Sequence, residues 1–135
     1  LRSTDLQAFL GLRQLKKADW VSTQRKENHL LYADLLEGVV EFQDWGEHNP
    51  VSISFGAIAS SSEHRKEIVD RLVENGIETR IFSAGNLGLH PFWTDLYGPF
   101  HDDMSDKIHS RGFFVPNYPE MNKDDIEFIC DVIKG

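Results

Sequence analysis

The residue types with chemical potential are few and scattered. Six histidines, His29, His48, His64, His90, His101 and His109, invite a metal site, but none pairs at the H-E-x-x-H or H-x-x-x-H spacing that sets two imidazoles on one helical face. His101-Asp102 with distant His90 is similar to the His-Asp dipeptide of metal phosphohydrolases. Those sites draw several ligands from long helices, whereas this region reads as loop followed by a short helix, so surface histidine is the expectation and no metal is assigned. The single cysteine, Cys130, falls at an apolar helical position with no base or helix N-terminus beside it, and reads as core. Gly85-Asn86-Leu87-Gly88 fits an anion-holding backbone nest or a plain tight turn, and turn chemistry favours the turn.

Arg80 is the cation with the best placement. In Glu78-Thr79-Arg80-Ile81-Phe82 it alternates with apolar neighbours just before a Gly- and aromatic-rich segment, so a strand would deliver its guanidinium beside Asn86 and His90; a surface ion pair is the competing role. The seven lysines, Lys16, Lys17, Lys26, Lys66, Lys107, Lys123 and Lys134, all fall on polar faces or helix ends, and none reads as a desolvated Schiff-base amine. There is no nucleophile elbow and no P-loop. These residues alone do not compose a complete active site.

The scaffold that must position them is one domain's worth of chain: 135 residues, 40% hydrophobic and 27% charged, enough to bury a core without metal or disulfide staples. Fourteen basic against 22 acidic residues give a net charge of -8, which opposes nucleic-acid binding. No apolar run approaches the ~20 residues of a membrane span, and the N-terminus carries no signal-peptide pattern, so a cytoplasmic protein is expected. A start at Leu1 that runs at once into a helix suggests a piece of something longer. Charge divides the chain as well, with six basic and five acidic residues up to Glu37, then eight and seventeen from Gly38 onward.

Residues 1–37 read as one long helix, capped by Ser3 or Thr4, with two apolar ends (Leu6 to Leu15, and Leu31 to Leu36) and a wet middle from Ser22 to His29; a break near Asp19-Trp20 is the alternative. Such a helix links two packing environments. Residues 38–135 then alternate short strands and helices. Strands are predicted at Val51–Phe55 running on to Ala59, at Ile77–Phe82 and at Phe113–Val115. Helices are predicted after Ser60-Ser61-Ser62-Glu63, over Asp102–Ser110 and after Asn122, with Ser83–Pro99 as a long loop. The expected fold is α+β: a long N-terminal helix leading into a small sheet of about three strands packed with helices.

The order of these motifs resembles the C-terminal part of the DegT/StrS family of pyridoxal-phosphate sugar aminotransferases. Leu1-Arg2-Ser3-Thr4-Asp5-Leu6-Gln7-Ala8 with Gly11 and Gln14-Leu15 is similar to the family's N-[YFL]-R-x-T-[DN]-[LI]-Q-A-A-x-G-x-x-Q-L, and Arg25, Asn28, Tyr32 and Leu35 to its R-x-x-N-x-x-x-Y-x-x-L continuation. Asn75-Gly76-Ile77-Glu78-Thr79-Arg80 resembles the G-I-x-T-R strand, Ala84-Gly85-Asn86 with His90-Pro91-Phe92 the substrate-side loop, and Gly112-Phe113-Phe114-Val115-Pro116 with Asn122 to Ile126 the closing strand and helix. The resemblance implies the small C-terminal domain of a fold-type I aminotransferase. Pyridoxal phosphate would belong to the full-length parent, held by a lysine upstream of Leu1, and none is expected on this chain. It implies that Arg2 lies at a subunit-shared active site and that Arg80, Asn86 and His90 face a nucleotide sugar, with homodimerisation through the full-length protein. The Ala84-Gly85-Asn86 loop and the Leu1-Arg2 opening resemble the lipopolysaccharide-sugar branch, whose members act on 4-keto-6-deoxy sugars by amino transfer or by 3-dehydration. A stand-alone ligand-binding α+β module is the reading from a different class, and a purely structural interaction domain is the third.

Overall fold

The computed structural model describes residues 4–48 and 50–135. Its elements follow in the order α1 (Asp5–Leu15), α2 (Ala18–Leu35), β1 (Ser54–Ile58), α3 (Ser62–Glu74), β2 (Arg80–Ile81), a 3-10 turn (Leu87–Leu89), α4 (Pro91–Tyr97), α5 (Asp103–Arg111), β3 (Gly112–Pro116) and α6 (Lys123–Lys134). The three strands form one antiparallel sheet in the order β1-β3-β2. The expected α+β architecture, a sheet of three short strands with helices, is what the chain forms.

Strand alternation sorts the sheet into two faces. Phe55 and Ala57 of β1 and Phe113 and Val115 of β3 are buried against Tyr32 and Leu36, Ile68 and Leu72 of α3, and Ile126, Ile129, Cys130 and Ile133 of α6. Ser54, Gly56, Ile58, Phe114 and Phe82 point the other way. Capping fixes the helix ends as the sequence indicates: Ser61 accepts from the His64 N–H, and Asn122 and Asp125 form a reciprocal capping box. After α3 the Ile77 N–H reaches Leu72 O at 2.8 Å and the Gly76 N–H reaches Val73 O at 3.0 Å, with Gly76 at φ 72°, a Schellman ending that needs glycine. Cys130 is core, and burial pushes its thiol up to about 12.

Several boundaries depart from the sequence reading. The first helix is two. Its Lys17 N–H bonds Gln14 O three residues back, and Lys17 adopts φ -102°, ψ -3°; neither glycine nor proline marks the spot. Of the two expected apolar ends only the second is buried, through Tyr32 and Leu36, and the middle is not wet throughout. Leu6, Phe9, Leu10, Leu12 and Leu15 of α1 are all more than half exposed, while Asn28 and His29 from the polar stretch are buried. Asn28 is held because its amide donates to Tyr118 O at 3.1 Å, and next to it the Asn117 amide donates to Ser52 O at 2.9 Å and Arg25 O at 3.1 Å. These polar groups satisfy backbone carbonyls inside the fold, so polarity there does not mean solvation. The strand expected over Ile77–Phe82 is ladder-bonded only at Arg80–Ile81, because Ile77 belongs to the α3 ending and Ser83 turns away at φ 40°. The loop expected over Ser83–Pro99 contains the 3-10 turn and α4, which Pro91 starts from its first turn.

His29 ties α2 to the segment that precedes β1. Its Nδ1 lies 2.8 Å from Ser52 Oγ, its ring meets Phe55 at 4.9 Å and Trp45 edge-on at 5.5 Å, and burial holds its pKa below the ordinary 6.5. The folded state therefore binds fewer protons than the unfolded state below that pH. We predict that stability is full above pH 6.5 and falls as pH drops from there toward the depressed folded value. Urea melts of wild type and His29→Phe between pH 7.5 and 5 should show a flatter profile in the variant, and parallel profiles would refute the assignment.

Candidate functional site

Two regions concentrate the candidate residues, the turn that follows β2 and the uncovered face of the sheet. The turn is built around Asn86. Its amide donates to Phe100 O at 3.0 Å and to Asp106 Oδ1 at 2.6 Å, and its Oδ1 accepts the Gly88 N–H at 2.8 Å. The Asn86 backbone N–H donates to His109 Nδ1 at 3.2 Å, which places the His109 proton on Nε2. The Phe100 N–H returns to Gly88 O at 3.0 Å. Thus Asn86 knits residues 86–88 to Phe100 and α5, and at 4% exposure it turns its bonding capacity inward.

His90 is fixed by the same turn. Its Nε2–H donates to Ala84 O at 2.6 Å, and its carbonyl accepts the first amides of α4, from Trp93 and Thr94, each at 2.9 Å. Gly85 sits at φ 64°, and a Cβ there would collide with His109 Nδ1, so the turn requires glycine twice over. The Gly85–Gly88 segment is accordingly a turn. Asp106 completes the network by accepting from His101 Nδ1 at 2.9 Å; the Asn86 amide, then His101, hold its carboxyl below the usual carboxylate range.

Arg80 lies on edge strand β2, opposite Phe114 in the register, and is exposed. Its guanidinium pairs with Glu78, and its Nη1 donates to Thr79 O at 3.3 Å. Beside it is a cavity of about 250 Å³ lined by Arg80, Ser54, Phe114, Asn117 and Tyr118. The structure thus brings Asn86 and His90 into one turn, while Arg80, engaged by Glu78, borders a cavity that neither of them lines. Arg2, the fourth candidate, lies outside the described residues.

Sequence reasoning missed His109, Asp106 and His101 as partners of this turn. The spacing of Asp106 and His109, three apart on one helix face, was the available signal, but nothing in the sequence says that the face meets residues 20 positions earlier. It also missed the cavity of about 550 Å³ on the open face of the sheet, bounded by β1, the stacked Phe82–Phe114 pair, α5 and the Phe42–Trp45 segment.

The described residues do not fit a Schiff-base cofactor. No lysine is buried, and four have carboxylate partners at the surface: Lys66 with Asp70, Lys107 with Glu41, Lys123 with Glu127 and Lys134 with Asp131. Among the described residues no group of three His, Cys, Asp or Glu side chains is placed to hold a metal, and no helix is long and apolar enough to cross a membrane.

Comparison with known proteins gives the class. A model of the DegT/DnrJ/EryC1/StrS aminotransferase family matches residues 1–134, so the chain belongs to that family. It is 28% identical over 137 aligned residues to the lipopolysaccharide biosynthesis protein RfbH of Salmonella typhimurium, covering 96% of this chain and 31% of RfbH. It is 29% identical to dTDP-4-dehydro-2,6-dideoxy-D-glucose 3-dehydratase of Saccharopolyspora spinosa, covering 98% of this chain and 30% of that enzyme. Among solved structures, E. coli GDP-4-keto-6-deoxy-D-mannose-3-dehydratase with bound hydrated PLP superposes with a TM-score of 0.85 at 22% identity, over 99% of this chain and 36% of that one. The chain spans about a third of the length of the relatives it matches.

The turn supplies a test of this geometry. Gly85→Ala must place a Cβ at a positive φ and against His109, a strain on the order of 1–3 kcal/mol. We expect lower stability in urea and faster hydrogen exchange at the Gly88 and His90 amides, which the turn bonds. Unchanged exchange at both amides would show that the turn does not depend on this packing.

Proposed function

We propose that this chain is the substrate-side part of a pyridoxal-phosphate enzyme that acts on a nucleotide-linked 4-keto-6-deoxy sugar in lipopolysaccharide or O-antigen biosynthesis. The observation that carries the reading is the family match over residues 1–134 in a chain with no buried lysine among its described residues. The chain contributes binding surface, and the Schiff-base lysine lies in a part of the protein that this chain lacks. We infer that Arg80 meets the anionic part of the substrate, exchanging Glu78 for a phosphate that a guanidinium can hold through two parallel hydrogen bonds. Asn86 and His90 shape the turn beside it, and Arg2 is assigned to the shared active site of a homodimer.

The division at Gly38 belongs to the same reading. The part of residues 1–37 without any buried residue is α1, so α1 is the proposed link to the large domain, while Tyr32 and Leu36 of the following stretch enter the small domain's core. Five exposed apolar side chains on α1 support a covered position in a longer protein over a stand-alone module, since free surfaces rarely carry a contiguous apolar patch. The parent is expected in the cytoplasm.

Amino transfer is the reaction in the family's description. The 3-dehydration reading is favoured by the name of the Saccharopolyspora relative, which aligns over 98% of this chain. Whether the upstream position of the Schiff-base lysine holds lysine or has histidine in its place decides between them.

Incubation of the 135-residue chain with pyridoxal phosphate followed by borohydride should leave no stoichiometric adduct on any one lysine by mass spectrometry. A single-site adduct would place the Schiff-base lysine here and overturn the assignment. In parallel, GDP-mannose should raise the melting temperature of the chain and glutamate should not, with the GDP-mannose shift reduced in Arg80→Ala. A shift by glutamate alone would instead favour the regulatory module.

A further inference from the structure

The cavity on the open face of the sheet and the smaller one beside Arg80 are neighbours: Ile53, Ser54 and Phe114 line both. Strand geometry explains why. Arg80 on β2 and Phe82, the residue after the strand ends, are two positions apart and so lie to one side, and Arg80 sits opposite Phe114 in the ladder. Phe82 and Phe114 stack with centroids 4.2 Å apart and planes 25° from parallel. Gly56 makes that stack possible, because a Cβ at this position would stand 2.6 Å from Phe82 Cζ and 3.0 Å from Phe114 Cε1. The result is a face-to-face aromatic pair, Phe114 on β3 and Phe82 just past the end of β2, bordering a cavity of about 550 Å³, with the Arg80 cation two positions before Phe82.

The polar groups around the cavity are sparse and unspent. The Ser54 hydroxyl and the Gln43 amide make no hydrogen bond to another described residue, although both line it. Two of the residues that line it carry buried nitrogens without partners, His29 Nε2 and Trp45 Nε1, the former in a residue only 3% exposed. A small-molecule site has this character: mostly apolar walls, a volume of a few hundred Å³, and a few polar groups that fix orientation.

We infer that this cavity is a site for a flat heteroaromatic ring of the nucleobase type. The ring extends the Phe82–Phe114 stack on its open face, presents its polar edge to Ser54 and Gln43, and sends an attached phosphate toward Arg80. The inference rests on the nucleotide-sugar reading for the phosphate end only; the ring end stands on the cavity itself. It assigns the base half of the substrate to the small domain's sheet and gives Phe82, Phe114 and Gly56 a binding role in addition to a structural one.

Titration of the isotope-labelled chain with guanosine, GDP and inorganic pyrophosphate, read by amide chemical shifts, tests both ends separately. Guanosine should give saturable shifts at Ser54, Gly56 and Phe114, and GDP should bind more tightly than guanosine. Phe82→Ala should weaken both by about tenfold, and Arg80→Ala should bring GDP down to the guanosine affinity while leaving guanosine unchanged. Gly56→Val, whose side chain would collide with both rings and displace the stack, should abolish guanosine shifts; dispersed spectra of each variant establish that it is folded. If guanosine gives no saturable shift at these amides, the ring site is overturned, whereas GDP and pyrophosphate perturbing Arg80 alike would still support a phosphate contact. If guanosine binds but neither GDP nor pyrophosphate perturbs Arg80, the ring site stands and the nucleotide-sugar reading fails.

Discussion

The register of β3 is the constraint on which the rest of the structure depends. Paired on both sides, with Phe113 opposite Ala57 and Ile81, and Phe114 opposite Gly56 and Arg80, it assigns every side chain of the sheet to one face or the other. A slip of one residue would bury Phe114 and expose Phe113 and Val115, emptying the core and the aromatic wall together. The register is secured from the core side, where Tyr32 stacks on Phe55 with centroids 4.9 Å apart and donates its hydroxyl hydrogen to Pro116 O at 3.0 Å. It is secured further along by Asn117, whose amide holds both α2 and the approach to β1. The helices thus pack on the sheet and also lock the alignment of its central strand.

The same register explains why the core was readable and much of the site was not. The Ile126, Ile129, Cys130 and Ile133 face and the Asn122 and Ser61 caps are local signals, and each is local in the structure, whereas the alternation in Val51–Phe55 holds only from Ser54 on, since β1 begins there and Val51 and Ile53 are exposed. Asn86 is the opposite case. Its identity as a key residue came from resemblance, yet its bonds run to Phe100 and Asp106, positions that no periodicity connects. The open-face cavity was hidden for a related reason. It is assembled from β1 and β3, Phe82 just past β2, α5 and an irregular segment, and its enabling residue, Gly56, reads in sequence only as a weak spot in a strand.

The helical start shows a different limit. Hydrophobic periodicity locates an amphipathic face but does not say whether anything in the same chain covers it. Leu6, Phe9 and Leu10 have the spacing of a core helix and remain exposed, while Asn28 and His29 are interior because backbone carbonyls and a serine hydroxyl wait for them. Burial of a polar group is decided by its partners, which are set by tertiary structure.

Charge adds a final element to the account of the Arg80 region. The net charge of -8 repels an anionic ligand at long range, and Glu78 already occupies the guanidinium. The repulsion is spread over the surface and is largely screened beyond about 8 Å at physiological salt, while a contact between Arg80 and a phosphate is short-ranged and charge-assisted. Selectivity for a nucleotide on such a surface must come chiefly from what the ring buries, with the phosphate setting its direction. An acidic domain with one strand-borne arginine beside an apolar, aromatic-walled cavity is suited to that division: the cavity supplies free energy through removal of flat apolar surface from water, and the guanidinium supplies orientation.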